Sequence, residues 1–83
     1  MKILKFYASW CTPCKALTQY LEASKDIIPC PVENIDIDAD METAVHYGVR
    51  GVPTMIMVDE NNNQVKRLVG MQSLKDLENW FNV

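Results

Sequence analysis

Eighty-three residues, 48% of them hydrophobic, suffice for one core, so residues 1–83 are expected to form a single domain. The formal net charge of −3 argues against a nucleic-acid binder, because phosphate affinity comes from clustered Lys and Arg, and the largest basic cluster is the pair Lys66-Arg67. No apolar run approaches the roughly 18 residues of a membrane span.

The start, "MKILKFYASW", does not fit a secretory leader: Lys5 interrupts the apolar stretch and no small-x-small cleavage site follows. Lys2 to Ala8 instead predict a strand with apolar residues on both faces, as in a covered sheet. From Thr12 to about Lys25 the period becomes helical, with Cys14, Leu17 and Leu21 on one face, and Pro29 and Pro31 prevent the helix from continuing. Val32 to Ile37 predict a second strand. Asp38 or Asp40 then caps a short helix from Met41 to Tyr47, with Gly48 suited to the position just past its end. "TMIMV" (54–58) has the composition of a buried strand, "DENNN" (59–63) of a turn, and Gln64 to Val69 of the returning hairpin strand. Leu74, Leu77 and Phe81 repeat at helical spacing through the C-terminus behind a Ser73 cap. The predicted order is β-α-β-α-β-β-α. A right-handed β-α-β crossover plus a hairpin makes an α/β fold with one mixed four-stranded sheet and helices on both faces.

The chemistry is expected in "WCTPCK" (10–15), at the junction of the first strand and first helix. Helix residues three apart have Cβ atoms about 5–6 Å apart, whereas a disulfide needs about 3.5–4.5 Å. Slight tightening of the first turn closes that gap, so joined and separate sulfurs are both accessible. Pro13 fits there, because first-turn N–H groups have no intrahelical partner and its φ is pre-set. Free N–H donors and the positive helix end favour a thiolate. Cys11, at the exposed edge, is expected to be the nucleophile, and Cys14, one turn in, the buried resolving thiol.

"FYASWCTPCK", then "YGVRGVPTMIMV", then "LVGMQSLKDLENW" resemble the thioredoxin family in order and spacing over nearly the whole chain. The resemblance implies a thioredoxin-like fold, of minimal form because the family's extra N-terminal strand and helix have no counterpart here. It also implies thiol–disulfide oxidoreductase activity. Pro53 matches the family's cis-proline beside the disulfide, and Val52 the residue whose backbone hydrogen-bonds an extended substrate. Trp10, Gly51 and Gly70 match the substrate-facing surface; for Trp10 the alternative is packing in the core, and for Gly70 a requirement of backbone geometry explains the residue equally well. Two departures concern redox tuning. Thr12 stands beside Pro13 where Gly is commoner. Lys5 occupies the place, six residues before the first cysteine, of the family's buried Asp. An ammonium aimed at Cys14 would favour its thiolate; alternatively Lys5 snorkels to the sheet edge.

Rival readings fit less well. A zinc site would need Cys11, Cys14, Cys30 and His46, but the second pair lacks ligand spacing, so no metal is expected. An EF-hand loop starting at Asp36 would require Gly and Glu where Met41 and Tyr47 stand. A glutaredoxin-like, glutathione-coupled enzyme would carry Cys-Pro-Tyr-Cys and a Gly-Gly-x-Asp contact, where this chain has "CTPC" and "VGMQS". A non-catalytic binding subunit would rely on the surface of Trp10, Val52 and Met71 rather than on the thiols. Cys30 is left over, as a packed small hydrophobe or a modifiable thiol. Because the start reads as a strand and not a leader, a cytoplasmic location is expected. The resemblance implies a monomer with no bound cofactor that reduces disulfide-containing client proteins, ribonucleotide reductase among them. An upstream thioredoxin reductase would regenerate the dithiol.

Overall fold

Strand β1 (Lys2–Tyr7) lies inside the sheet of the computed structural model, which describes residues 1–82. It runs parallel to β2 (Val32–Asp36), with Leu4 opposite Glu33, and antiparallel to β3 (Thr54–Val58), with Leu4 opposite Ile56. Strand β4 (Gln64–Val69) pairs antiparallel with β3, giving the order β2-β1-β3-β4 and the expected mixed sheet.

Both faces of β1 and β3 are covered, which explains why neither strand alternates with polar residues. On one face Ile3, Met55 and Met57 pack against Leu17 and Leu21 of α1 (Thr12–Ala23) and Leu77 and Phe81 of α3 (Leu74–Phe81). On the other, Leu4, Phe6, Ile56 and Val58 pack with Ile35 and with Ala44 of α2 (Met41–His46). The helices thus lie on both sides of the sheet. Burial of each such aliphatic or aromatic side chain contributes about 1.5–3 kcal/mol before chain entropy is counted.

Element ends differ from expectation by a residue or two. The first strand stops at Tyr7, before Ala8, and the second at Asp36, before Ile37. Helix α1 ends at Ala23, and Lys25–Ile27 form a separate 3-10 turn, because the chain tightens ahead of Pro29. Asp40, not Asp38, caps α2, its Oδ1 accepting from Thr43 N at 3.1 Å. Tyr47 caps the end of that helix, and Gly48 beyond it takes φ +67°, the left-handed region that suits glycine. Ser73 caps α3 by accepting from Asp76 N at 3.1 Å. That helix runs to Phe81; Val83, where the expected element would end, lies outside the described residues.

Two turns frame the sheet. Asp59 Oδ1 accepts from the N–H groups of Asn61 and Asn63 at 2.9 and 3.0 Å, closing the β3–β4 hairpin. Arg67 on β4 donates to the carbonyls of Tyr47 and Gly48 and so ties the end of α2 to the sheet. No helix among the described residues is long and apolar enough to cross a membrane.

Candidate active site

The chain leaves β1 at Tyr7, turns through Ala8–Trp10, and enters α1 at Cys11. Cys11 is the N-cap residue, with extended φ −89° and ψ 103°, and its Sγ accepts from Cys14 N at 3.1 Å. The two cysteines are joined in a disulfide across a Cα separation of 5.3 Å. The gap is closed by Cys11 leaving the helical conformation, not by tightening of a helical turn. Its sulfur occupies the position of an N-cap oxygen and satisfies one of the orphan donors of the helix start. Pro13 lies in the first turn, as its missing N–H allows, and no carboxylate in that turn opposes a thiolate.

Exposure does not separate the two cysteines. Cys14 is 3% exposed, as expected of an inner thiol, but Cys11 is only 4% exposed rather than sitting at an open edge. With Ala8 the pair forms a small core of its own, and Tyr7, Ile37 and Val52 pack against it. In the joined pair both cysteines are buried with Val52 packed against them, while Thr12 and Pro13 are exposed.

Around this core the other expected residues converge. The Val52–Pro53 peptide is cis, and Pro53 is buried while Gly51 is exposed. Among the described residues Val52 makes no backbone hydrogen bond. Gly70 takes φ +81° and donates its N–H to Pro53 O at 2.8 Å, so its conformation braces the proline segment from β4. Trp10 is 66% exposed and has no core role. Its Nε1 donates to Asp38 Oδ2 at 2.9 Å.

Lys5 neither snorkels to the sheet edge nor bonds a cysteine. It is 5% exposed, beneath α1, and its Nζ donates to Thr18 Oγ1 at 2.6 Å. Burial lowers the Lys5 pKa from its ordinary value of 10.5, and the Glu22 carboxylate partly opposes that shift. Thr18 and Asp38 are the site neighbours that sequence reasoning missed. Thr18 follows Cys14 by one helical turn, a spacing that puts the two on one face. Asp38 enters the sequence reading only as a helix cap, and no local pattern links it to Trp10.

Among the described residues no three His, Cys, Asp or Glu side chains come together as a metal site. Cys30 is half-buried against the α1–α3 core, and His46 stacks edge-on with Tyr47.

The thioredoxin family model matches residues 1–83. The chain belongs to the thioredoxin family. It is 39% identical over 82 residues to the thioredoxin of Rickettsia typhi, covering 96% of this chain and 77% of the relative. It is 37% identical over 76 residues to that of Chlamydia muridarum, covering 90% and 74%. Among solved structures, a single-site mutant of the thioredoxin from Halobacterium salinarum superposes with a TM-score of 0.84 at 35% identity, covering 96% of this chain and 70% of that one. The chain is accordingly a thiol–disulfide oxidoreductase, a protein-disulfide reductase by class. Thioredoxins use their own cysteine pair as redox centre, act on disulfide-bearing client proteins and are re-reduced by a thioredoxin reductase.

Proposed function

We propose that the protein reduces client disulfides through Cys11 and Cys14 of its Cys-Thr-Pro-Cys segment. The observation that carries this reading is the Cys11–Cys14 disulfide at the start of α1, beside the cis Val52–Pro53 peptide. In the reduced protein the Cys11 thiolate attacks one client sulfur, forms the Cys11–client bond and expels the other client sulfur as a thiolate. The hydrogen bond from Cys14 N to Cys11 Sγ and the helix end favour Cys11 for this step. Cys14, as thiolate, then attacks Cys11 Sγ. The Cys11–client bond breaks, the second client sulfur leaves, and the Cys11–Cys14 disulfide forms. Two electrons have passed to the client, and a thioredoxin reductase returns them.

Trp10, Gly51, Val52, Pro53 and Gly70 would receive the client. Val52 supplies backbone groups to an extended segment, and Trp10 an exposed apolar face. Thr12, Pro13 and Lys5 would tune the potential of the pair. The reaction needs no bound cofactor, because sulfur carries the electrons. A cytoplasmic setting suits a dithiol that must stay reduced. We take the protein to act as a monomer, with ribonucleotide reductase one candidate client.

The test is a Cys14→Ser variant exposed to a disulfide-bonded model protein. A stable Cys11–client mixed disulfide is expected; capture on Cys30 or no capture would overturn the assignment. Wild-type turnover with NADPH and thioredoxin reductase, against turnover with glutathione, separates this reading from a glutathione-coupled one. If the Cys11→Ser, Cys14→Ser double variant kept its biological role, the protein would be a binding subunit instead.

A further inference from the structure

Thr18 stands between two cavities. One, of ≈ 350 Å³, is lined by Lys5, Glu22, Lys25, Cys30 and Asn34 together with Thr18. The other, of ≈ 440 Å³, brings Thr18 together with Tyr7, Ala8, Cys14 and Lys15. The Thr18 hydroxyl accepts from Lys5 Nζ at 2.6 Å and donates to the Cys14 carbonyl oxygen at 3.0 Å. The buried amine therefore lies within two hydrogen-bond lengths of the backbone of the inner cysteine.

We infer that Thr18 is a positioning residue for the dithiol: its hydroxyl holds the Lys5 ammonium against the first turn of α1, where the charge favours the Cys14 thiolate. The inference rests on the reading of Cys14 as the resolving thiol. Each hydrogen bond in the chain strengthens the next, because a hydroxyl that accepts from a cation is a better donor. Few other charges face this pair. Glu22 and Lys25 border the Lys5 cavity, and Glu22 is the carboxylate felt by Lys5. Cys30 lines the same cavity, the Tyr7 ring lies 5.9 Å from Nζ, and Lys15 borders the cavity of Cys14. The neighbouring strands contribute only Asn34 and Met55, both uncharged, opposite Lys5. Without the hydroxyl nothing anchors Nζ on the side of Cys14, and the ammonium swings into its own cavity toward Glu22 and water.

The sign follows from attraction. A nearby cation lowers a thiol pKa, so moving the cation away raises it. The test is a ¹³C NMR titration of Cys14 Cβ in the reduced protein, for wild type, Lys5→Met, Thr18→Val, Thr18→Ser and the Lys5→Met, Thr18→Val double variant. Lys5→Met is expected to raise the Cys14 midpoint by about one pH unit, the low end for a close charge. Thr18→Val should reproduce most of that rise, the double variant should add nothing to Lys5→Met, and Thr18→Ser should restore the wild-type curve. An unmoved Cys14 midpoint in Thr18→Val, an additive double variant, or a Thr18→Ser curve like that of Thr18→Val would overturn the inference. A hydroxyl that merely pinned the helix would change thermal stability and leave the titration alone. The titration uses neither client nor reductase, so its failure is separate from failure of the client-trapping experiment.

Discussion

Trp10 and Asp38 come from neighbouring loops, those after the parallel strands β1 and β2, and meet through the indole Nε1–H and Oδ2 at 2.9 Å. The bond fixes the orientation of a tryptophan that is 66% exposed and otherwise free to rotate. In Asp38→Ala the ring loses that constraint, and a client must order it on binding. Reduction of a disulfide-bonded model protein is expected to fall about fivefold in kcat/KM, equivalent to one net hydrogen bond of about 1 kcal/mol. Steady-state kinetics with a thioredoxin reductase checks this, and an unchanged kcat/KM would show that the ring needs no partner.

The core clusters predict graded losses of stability. Leu17 on α1 is 2% exposed and Ile56 on β3 is fully buried. Leu17→Ala should cost about 2–5 kcal/mol and Ile56→Val about 0.5–1.5 kcal/mol. Both are read from denaturant midpoints at constant slope. The larger change approaches the whole stability of a domain this small.

The buried Lys5 amine predicts a stability that depends on alkaline pH. Burial lowers its folded-state pKa below 10.5, against the opposing pull of Glu22. Between that folded value and 10.5 the unfolded chain binds more protons than the folded one, so this residue makes stability rise with pH across the window. Below the window the cost of the buried charge is fully present. Lys5→Met should therefore be stabilised relative to wild type at neutral pH, with the gap closing as pH climbs through the window. Urea unfolding of both proteins at a series of pH values measures it. Taking the difference cancels the opposite contribution of Cys30, whose pKa is raised. A gap constant with pH would refute the assignment.

Cys30 is the free cysteine of the oxidised protein, half-buried, and burial pushes its thiol above 9.0. Alkylation of the oxidised protein by iodoacetamide should be slow at neutral pH. It should climb about tenfold per pH unit with the thiolate fraction and level off only above 9.0. Mass spectrometry of a single added group follows the rate, and a plateau below 9.0 would contradict the burial argument.

Much of this molecule was legible from local pattern. The element order, the mixed sheet, the Ser73 cap and the first-turn Pro13 depend on period, capping and turn chemistry that act over a few residues. The Cys11–Cys14 pair belongs to the same class, because a separation of three residues fixes their proximity. Where local signals are ambiguous, expectation goes astray or stays open. Asp38 and Asp40 both suit a helix start, and Trp10 claims the first and leaves the second to cap α2. Cys11 is expected at an exposed edge, but Val52, distant in sequence, packs against the cysteine pair.

The sequence alone thus determined which groups could do chemistry here: two thiols at a helix start, a proline near the sheet, an amine in place of a carboxylate. Only the tertiary structure decided what surrounds them. The pairing of β1 with β2 and β3 puts Lys5 on the α1 face, where it meets Thr18, and the braced turn from β4 brings Gly70 to Pro53. Those contacts join residues far apart along the chain. They arise from packing the whole core at once, which no short window of residues encodes.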